Sequence, residues 1–228
     1  ESGDDALEAN PGLNHFEWDL RCEKADDFEG LLMWWGTLQG PVVPPGTYSA
    51  ELIADEDTVF TTFEILLDPR SEGTAADRTA QFEFLKAVRD KVDETHDAIR
   101  HMRATRGQIS ALVGRLERED HTALFDASDV LDSSMIAIEE VLYQTKLKSN
   151  QDMLNYPIKL NNKLAHVGSL ASMGIYRPTN QMEAVRQDIS AKIDVELTKW
   201  YALRDEQLPA FNALIRNSKI EFIDAPTD

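Results

Sequence analysis

Five histidines, His15, His96, His101, His121 and His166, and the single cysteine Cys22 are the side chains most able to ligate a metal or attack a substrate. Asp93 and His96 stand three apart, the helical spacing of a carboxylate–histidine metal pair. A four-helix di-iron centre needs a second such pair and two further inward carboxylates, and no second pair occurs at that spacing. Asp97 and His101, four apart, suit a surface pair. Asp126, Asp129 and Asp132 form an acidic stripe near the start of an expected helix, where the helix dipole favours carboxylates without any ligand. Cys22 has no histidine partner in sequence. The chain contains no HExxH, no GxSxG, no Walker-type glycine loop and no GxGxxG. No catalytic residue, metal site or cofactor is therefore expected within this chain.

Two stretches remain that could bind rather than react. Trp34 and Trp35 are adjacent, and aromatic faces stack on sugars, so they form a candidate glycan platform. The alternative is that one plugs a β-sandwich core and the other covers its end. The stretch from Tyr143 to Leu164 is rich in Asn, Gln and Lys within an otherwise acidic chain. Tyr143, Lys146, Lys148, Asn150, Tyr156, Lys159, Asn161 and Asn162 are the candidate interaction surface, a docking face for an acidic protein neighbour. The plainer reading is a polar crossover whose amides tie down irregular backbone.

The chain has 228 residues, with 23 basic against 41 acidic side chains and a formal net charge of −18. Such a surface repels nucleic acid and anionic lipid. One cysteine excludes an internal disulfide. No apolar run reaches the length of a membrane span. The chain starts at Glu1 without an initiator Met, so it is expected to be a processed or excised piece of something longer.

The elements that position these residues follow from periodicity. Residues 1–10 read as an acidic linker. Phe16, Trp18 and Leu20 alternate with polar residues as one strand. Tyr48, Ala50 and Leu52, then Val59, Thr61, Phe63, Ile65 and Leu67, alternate on either side of the polar turn Asp55-Glu56-Asp57 as a hairpin. At least three strands across 11–70 predict a small antiparallel sandwich of immunoglobulin-like type. Pro69 and Gly73 mark its end.

Thr74-Ala75-Ala76-Asp77 resembles a capping box opening a long helix. Its seam runs through Leu85, Val88, Val92, Thr95, Ile99, Met102, Ile109, Val113 and Leu116, broken only at Arg106. Gly107 and Gly114 make its last third the expected place for a break. A second helix covers about Thr122 to Lys146, a short one follows Pro157, and the last runs from about Asn180 to Asn217 with a kink at Pro209. Three long helices with seams predict an up-down-up bundle over 74–218 with a short helix inserted. A tail over 219–228 adds a strand or packs down through Ile220-Glu221-Phe222-Ile223. The expected class is thus α+β.

Two segments carry a resemblance. Gly12-Leu13-Asn14-His15-Phe16-Glu17-Trp18-Asp19-Leu20-Arg21, followed by Gly40-Pro41-Val42-Val43-Pro44-Pro45-Gly46-Thr47-Tyr48, resembles the FlgD-like immunoglobulin-like module: a W-D strand, then P-G-x-Y opening the next. The acidic insert at 22–30 lengthens the spacing between them. Residues 142–164 resemble the far C-terminal region of large exported bacterial proteins of the sortilin-like, Asp-box propeller group, often labelled glycosyl hydrolases. That resemblance implies a periplasmic, cell-surface or extracellular setting. It implies a non-catalytic accessory module that packs on propellers or docks a partner protein, with the alternative of a carbohydrate-binding or glycan-processing piece. No Asp-box repeat occurs here, so no propeller residue carries over.

Overall fold

The computed structural model describes residues 10–218 and residue 220. The expectations for residues 1–9, and for Glu221, Phe222 and Ile223 in the tail, fall outside them. The class is mixed α+β. Strand β1 (Gly46–Ala54) and strand β2 (Asp57–Ile65) precede helices α1 (Ala75–Val113), α2 (Thr122–Leu142), α3 (Leu160–Ala171), α4 (Asn180–Ala202) and α5 (Leu208–Asn217).

The hairpin follows the alternation read from the sequence. Tyr48 faces Phe63, Ala50 faces Thr61 and Leu52 faces Val59 across an antiparallel ladder. Asp55 takes φ 53° to close the two-residue turn, so Asp57 belongs to β2 rather than to the turn. The third expected strand does not form. The described residues contain one sheet, of two strands. Residues 13–20 lack strand pairing, and a single bridge joins Arg21 to Val42. Leu20 sits at φ 61°, which breaks the extended run before it can pair. Trp18 still reaches the hairpin, edge-on to Tyr48 and Phe63 at centroid distances of 6.2 and 6.3 Å.

Helices α1 and α4 start where the sequence signals them, whereas α3 begins at Leu160, past the expected opening at Pro157. Thr74 caps α1, accepting from the Asp77 amide while the Asp77 carboxylate accepts from the Thr74 amide. The helix runs unbroken through Gly107 and ends at Val113 with Gly114 as its C-cap, short of the expected seam residue Leu116. Thr179 caps α4 by accepting from the Met182 amide. Pro209 does bring an irregularity, but as a π-helical turn over Leu203–Gln207 just ahead of α5. Proline lacks the amide that an α-helix needs and crowds the preceding turn, and the wider turn absorbs both defects.

Helix α1 packs against α2, α3 and α4, and α2 also meets α4 and α5. The core runs along the α1 seam through Val92, Ile99 and Met102, into Met135 and Leu142 of α2, Leu164 of α3, and Ile193, Leu197 and Trp200 of α4. Ile220, partly buried, packs on the same core. Residues 22–38, expected inside a sandwich, instead lie on the helices and place Ala25 and Phe28 in the helical core. Among the described residues no helix is long and apolar enough to cross a membrane.

Candidate functional site

The Tyr143–Leu164 stretch divides into an inner and an outer part. Tyr143, Asn161 and Asn162 are buried. The Tyr143 hydroxyl donates to the Gly30 carbonyl at 2.9 Å and accepts from the Leu32 amide at 3.1 Å. The Asn162 amide accepts from Trp34 N at 2.7 Å and donates to Trp34 O at 2.8 Å. Tyr143 and Asn162 thus fasten residues 28–36 to the helices, in keeping with the tie-down role of buried polar groups, while Asn161 meets His96 on α1. Lys146, Lys148, Asn150 and Tyr156 are exposed and Lys159 is half-buried. Lys146 lies over the Tyr156 ring at 5.8 Å.

The segment that Tyr143 and Asn162 hold is a strap across α1, α2 and α3. Phe28 is its anchor, edge-on to His96 at 5.0 Å and to Tyr143 at 4.9 Å, beneath the Arg103 guanidinium at 4.7 Å. Arg100 donates to the Asp27 carbonyl, and Arg103 to the Glu29 carbonyl. Periodicity could not find this strap, because most of its fixing contacts run through backbone atoms. The one sequence signal was the acidic run 23–29 in reach of an arginine-bearing helix.

His96 is fully buried. Its Nδ1 lies 2.7 Å from the Asp26 carbonyl, so Nδ1 carries the proton and Nε2 accepts from Asn161 Nδ2 at 3.2 Å. Burial pushes its pKa down, outweighing the Asp26 carbonyl and the nearby Asp93 and Asp27 carboxylates, with Arg100 adding to the downward push. Asp93 turns away from a metal role and accepts from the Asp26 amide at 2.6 Å. Among the described residues no three His, Cys, Asp or Glu side chains converge as a metal centre would require.

A groove of about 800 Å³ opens between α1 and α2, lined by Arg103, Arg106, Asp132 and Glu139 among others. It holds ionisable groups, but they satisfy one another. Glu139 is buried and takes Arg103 at 2.7 Å and Arg106 at 3.4 Å; Arg106 also takes Asp132 at 2.7 Å. Arg106 interrupts the α1 seam because it answers these carboxylates. Asp126 and Asp129 pair with Arg118, and Asp132 with Arg106, so each carboxylate of the acidic stripe on α2 has an arginine partner.

The exposed apolar surface is elsewhere. Leu52, Ile53, Val59 and Phe60 are each more than half exposed near the end of the hairpin. Both outer edges of the two strands lack a pairing strand among the described residues. Glu51, Asp55, Glu56, Asp57 and Glu64 are the charged side chains of residues 46–65, and none is basic. Trp34 and Trp35 are both exposed, Trp35 at 67%, with Trp35 at φ 57°. Neither fills a sandwich core; the aromatic that meets the hairpin is Trp18. No family model, curated protein or solved structure matches the chain.

Proposed function

We propose that this chain is a non-catalytic accessory module of a larger exported protein, of the sortilin-like propeller kind its motifs resemble, and that its hairpin docks a neighbouring polypeptide. The observation that carries the reading is an acidic, two-edged hairpin with Leu52, Val59 and Phe60 in solvent. A lone hairpin is marginal in water, and open apolar edges invite another strand. The occupant is an extended segment with alternating aliphatic and cationic side chains, adding to one edge by main-chain hydrogen bonds. A second copy of this chain is a poor occupant, since it would set like charge against like. With that strand in place, the hairpin and Trp18 form the exposed half of an immunoglobulin-like sandwich. Helices α1, α2 and α4 are the up-down-up bundle that carries it, with α3 inserted.

The test is calorimetric titration of the chain with the remainder of its parent polypeptide and with a synthetic alternating Lys-Val peptide. Saturable binding is expected, abolished by a Leu52→Asp, Phe60→Asp double variant and weakened by salt. Binding unchanged in that variant, but lost in Lys146→Glu, Lys148→Glu, Lys159→Glu, would move the docking face to the crossover. No binding in either arm rejects the proposal.

A second reading rests on Trp35, exposed on backbone held by the paired Asn162 bonds to Trp34. Glycan-array binding lost in Trp35→Ala would favour a carbohydrate-binding module.

A further inference from the structure

Where residues 21–42 cross the start of α1 and the end of α3, they enclose a cleft of about 290 Å³. Three guanidinium groups, Arg21, Arg78 and Arg89, line it in a chain whose net charge is −18. Their own partners leave them under-compensated. Arg78 donates to the neutral Gln81 Oε1 at 2.6 Å, and no carboxylate among the described residues lies within ion-pairing distance of it. Gln81 is itself locked, because its Nε2 donates to the carbonyls of Ala171 and Gly174. Its oxygen therefore has a fixed direction and holds Arg78 in place. Arg21 donates to the Gly40 carbonyl at 3.0 Å and, among the described residues, has only the exposed Asp19 as an ion partner, at 3.8 Å. Arg89 pairs with Asp90, which Lys86 shares, and its Nε is buried without a partner among the described residues.

Burial and the charge of Arg21 both push the pKa of Arg78 down. The two cations are thus close enough to repel across the cleft. A guanidinium stays protonated regardless, so the repulsion is relieved by an anion between them rather than by proton loss. The cleft is also lined by aliphatic side chains: Leu85, Val88, Val92 and Ile175. Planar guanidiniums match a carboxylate by paired N–H donors, and the aliphatic lining suits a short hydrocarbon tail.

We propose that this cleft binds a small organic carboxylate, its head group between Arg21 and Arg78 and its tail on the Leu85–Val88 side. The inference does not depend on the hairpin. It is tested on the whole chain by calorimetry at constant ionic strength, with hexanoate, acetate and inorganic phosphate as probes. Hexanoate is expected to bind saturably and more tightly than acetate. Loss of a charge-assisted hydrogen bond is expected to weaken hexanoate about tenfold or more in Arg78→Gln, while Arg118→Gln, on the far corner, leaves it unchanged. If circular dichroism shows Arg78→Gln to be unfolded, Arg21→Gln carries the same expectation. Phosphate binding as tightly as hexanoate would overturn the carboxylate assignment. No saturable hexanoate binding, or equal binding in the arginine variants, would overturn the site.

Discussion

Removing the Glu139 side chain is the sharpest probe of how α1 and α2 are joined. Its carboxylate is 4% exposed and takes Arg103 and Arg106. In Glu139→Ala both guanidiniums lose a buried anion, but they are themselves 33% and 28% exposed, and Arg106 keeps Asp132. Loss of hydrogen bonds to a charged group then costs about 1.5–3 kcal/mol. For a chain of this size that corresponds to a fall in Tm of roughly 3–12 °C. Asp132 is the internal control. It binds the same Arg106, but its side chain is 46% exposed, and exposed pairs contribute about 0–1 kcal/mol. Asp132→Ala should therefore shift the urea midpoint little. Urea unfolding followed by far-ultraviolet circular dichroism, with the slope checked for constancy, reads both variants. If Glu139→Ala fell within about 1 kcal/mol of the parent, or if Asp132→Ala cost as much as Glu139→Ala, burial would not be what gives this network its strength.

His96 sets a pH dependence. In the unfolded chain it takes up a proton near pH 6.5, whereas burial delays uptake in the folded protein to lower pH. Between those two values the unfolded state holds more protons, so its contribution to stability is present above pH 6.5 and is lost as pH falls through the folded value. Tm should fall between pH 7.5 and 5.5, and His96→Gln should flatten that slope; an unchanged slope would show that His96 does not set it. Gly40 and Gly107 should respond oppositely to alanine. A Cβ on Gly40 would meet the Cys22 carbonyl oxygen at 1.9 Å, whereas one on Gly107 meets nothing within 4 Å. Thermal melts should show Gly40→Ala destabilised by about 1–3 kcal/mol and Gly107→Ala stabilised by about 0.5–1 kcal/mol.

The parts legible in the sequence were those governed by a repeating pattern. Alternation gave the hairpin, but its register, with Tyr48 opposite Phe63, was not read from it, because the turn is one residue shorter than the polar run Asp55-Glu56-Asp57 suggested. The 3-4 seam gave α1, and local capping chemistry gave its first residue. The gap at Arg106 was visible, but its reason was not, because Glu139 and Asp132 lie on another helix. The strap was illegible for a related cause. Arg100 and Arg103 hold it by carbonyl oxygens, which every residue possesses. Alternation misled at Phe16, Trp18 and Leu20, where one left-handed residue outweighs a favourable pattern. The amide-rich crossover was legible as unusual composition. Burial then separated its structural members, Tyr143, Asn161 and Asn162, from its exposed lysines.

The strap also fixes an order of events. Leu32 and Tyr143 are separated by 111 residues, and Trp34 and Asn162 by 128. During synthesis, the α1 contacts to Asp27 and Glu29 can form before α3 exists, but Trp34 stays unfastened until Asn162 has left the ribosome. Closing such long loops is entropically slow. Helices α1 and α2 can therefore meet with Phe28 already against them, and the Trp34 end of the strap is among the last parts to find its place.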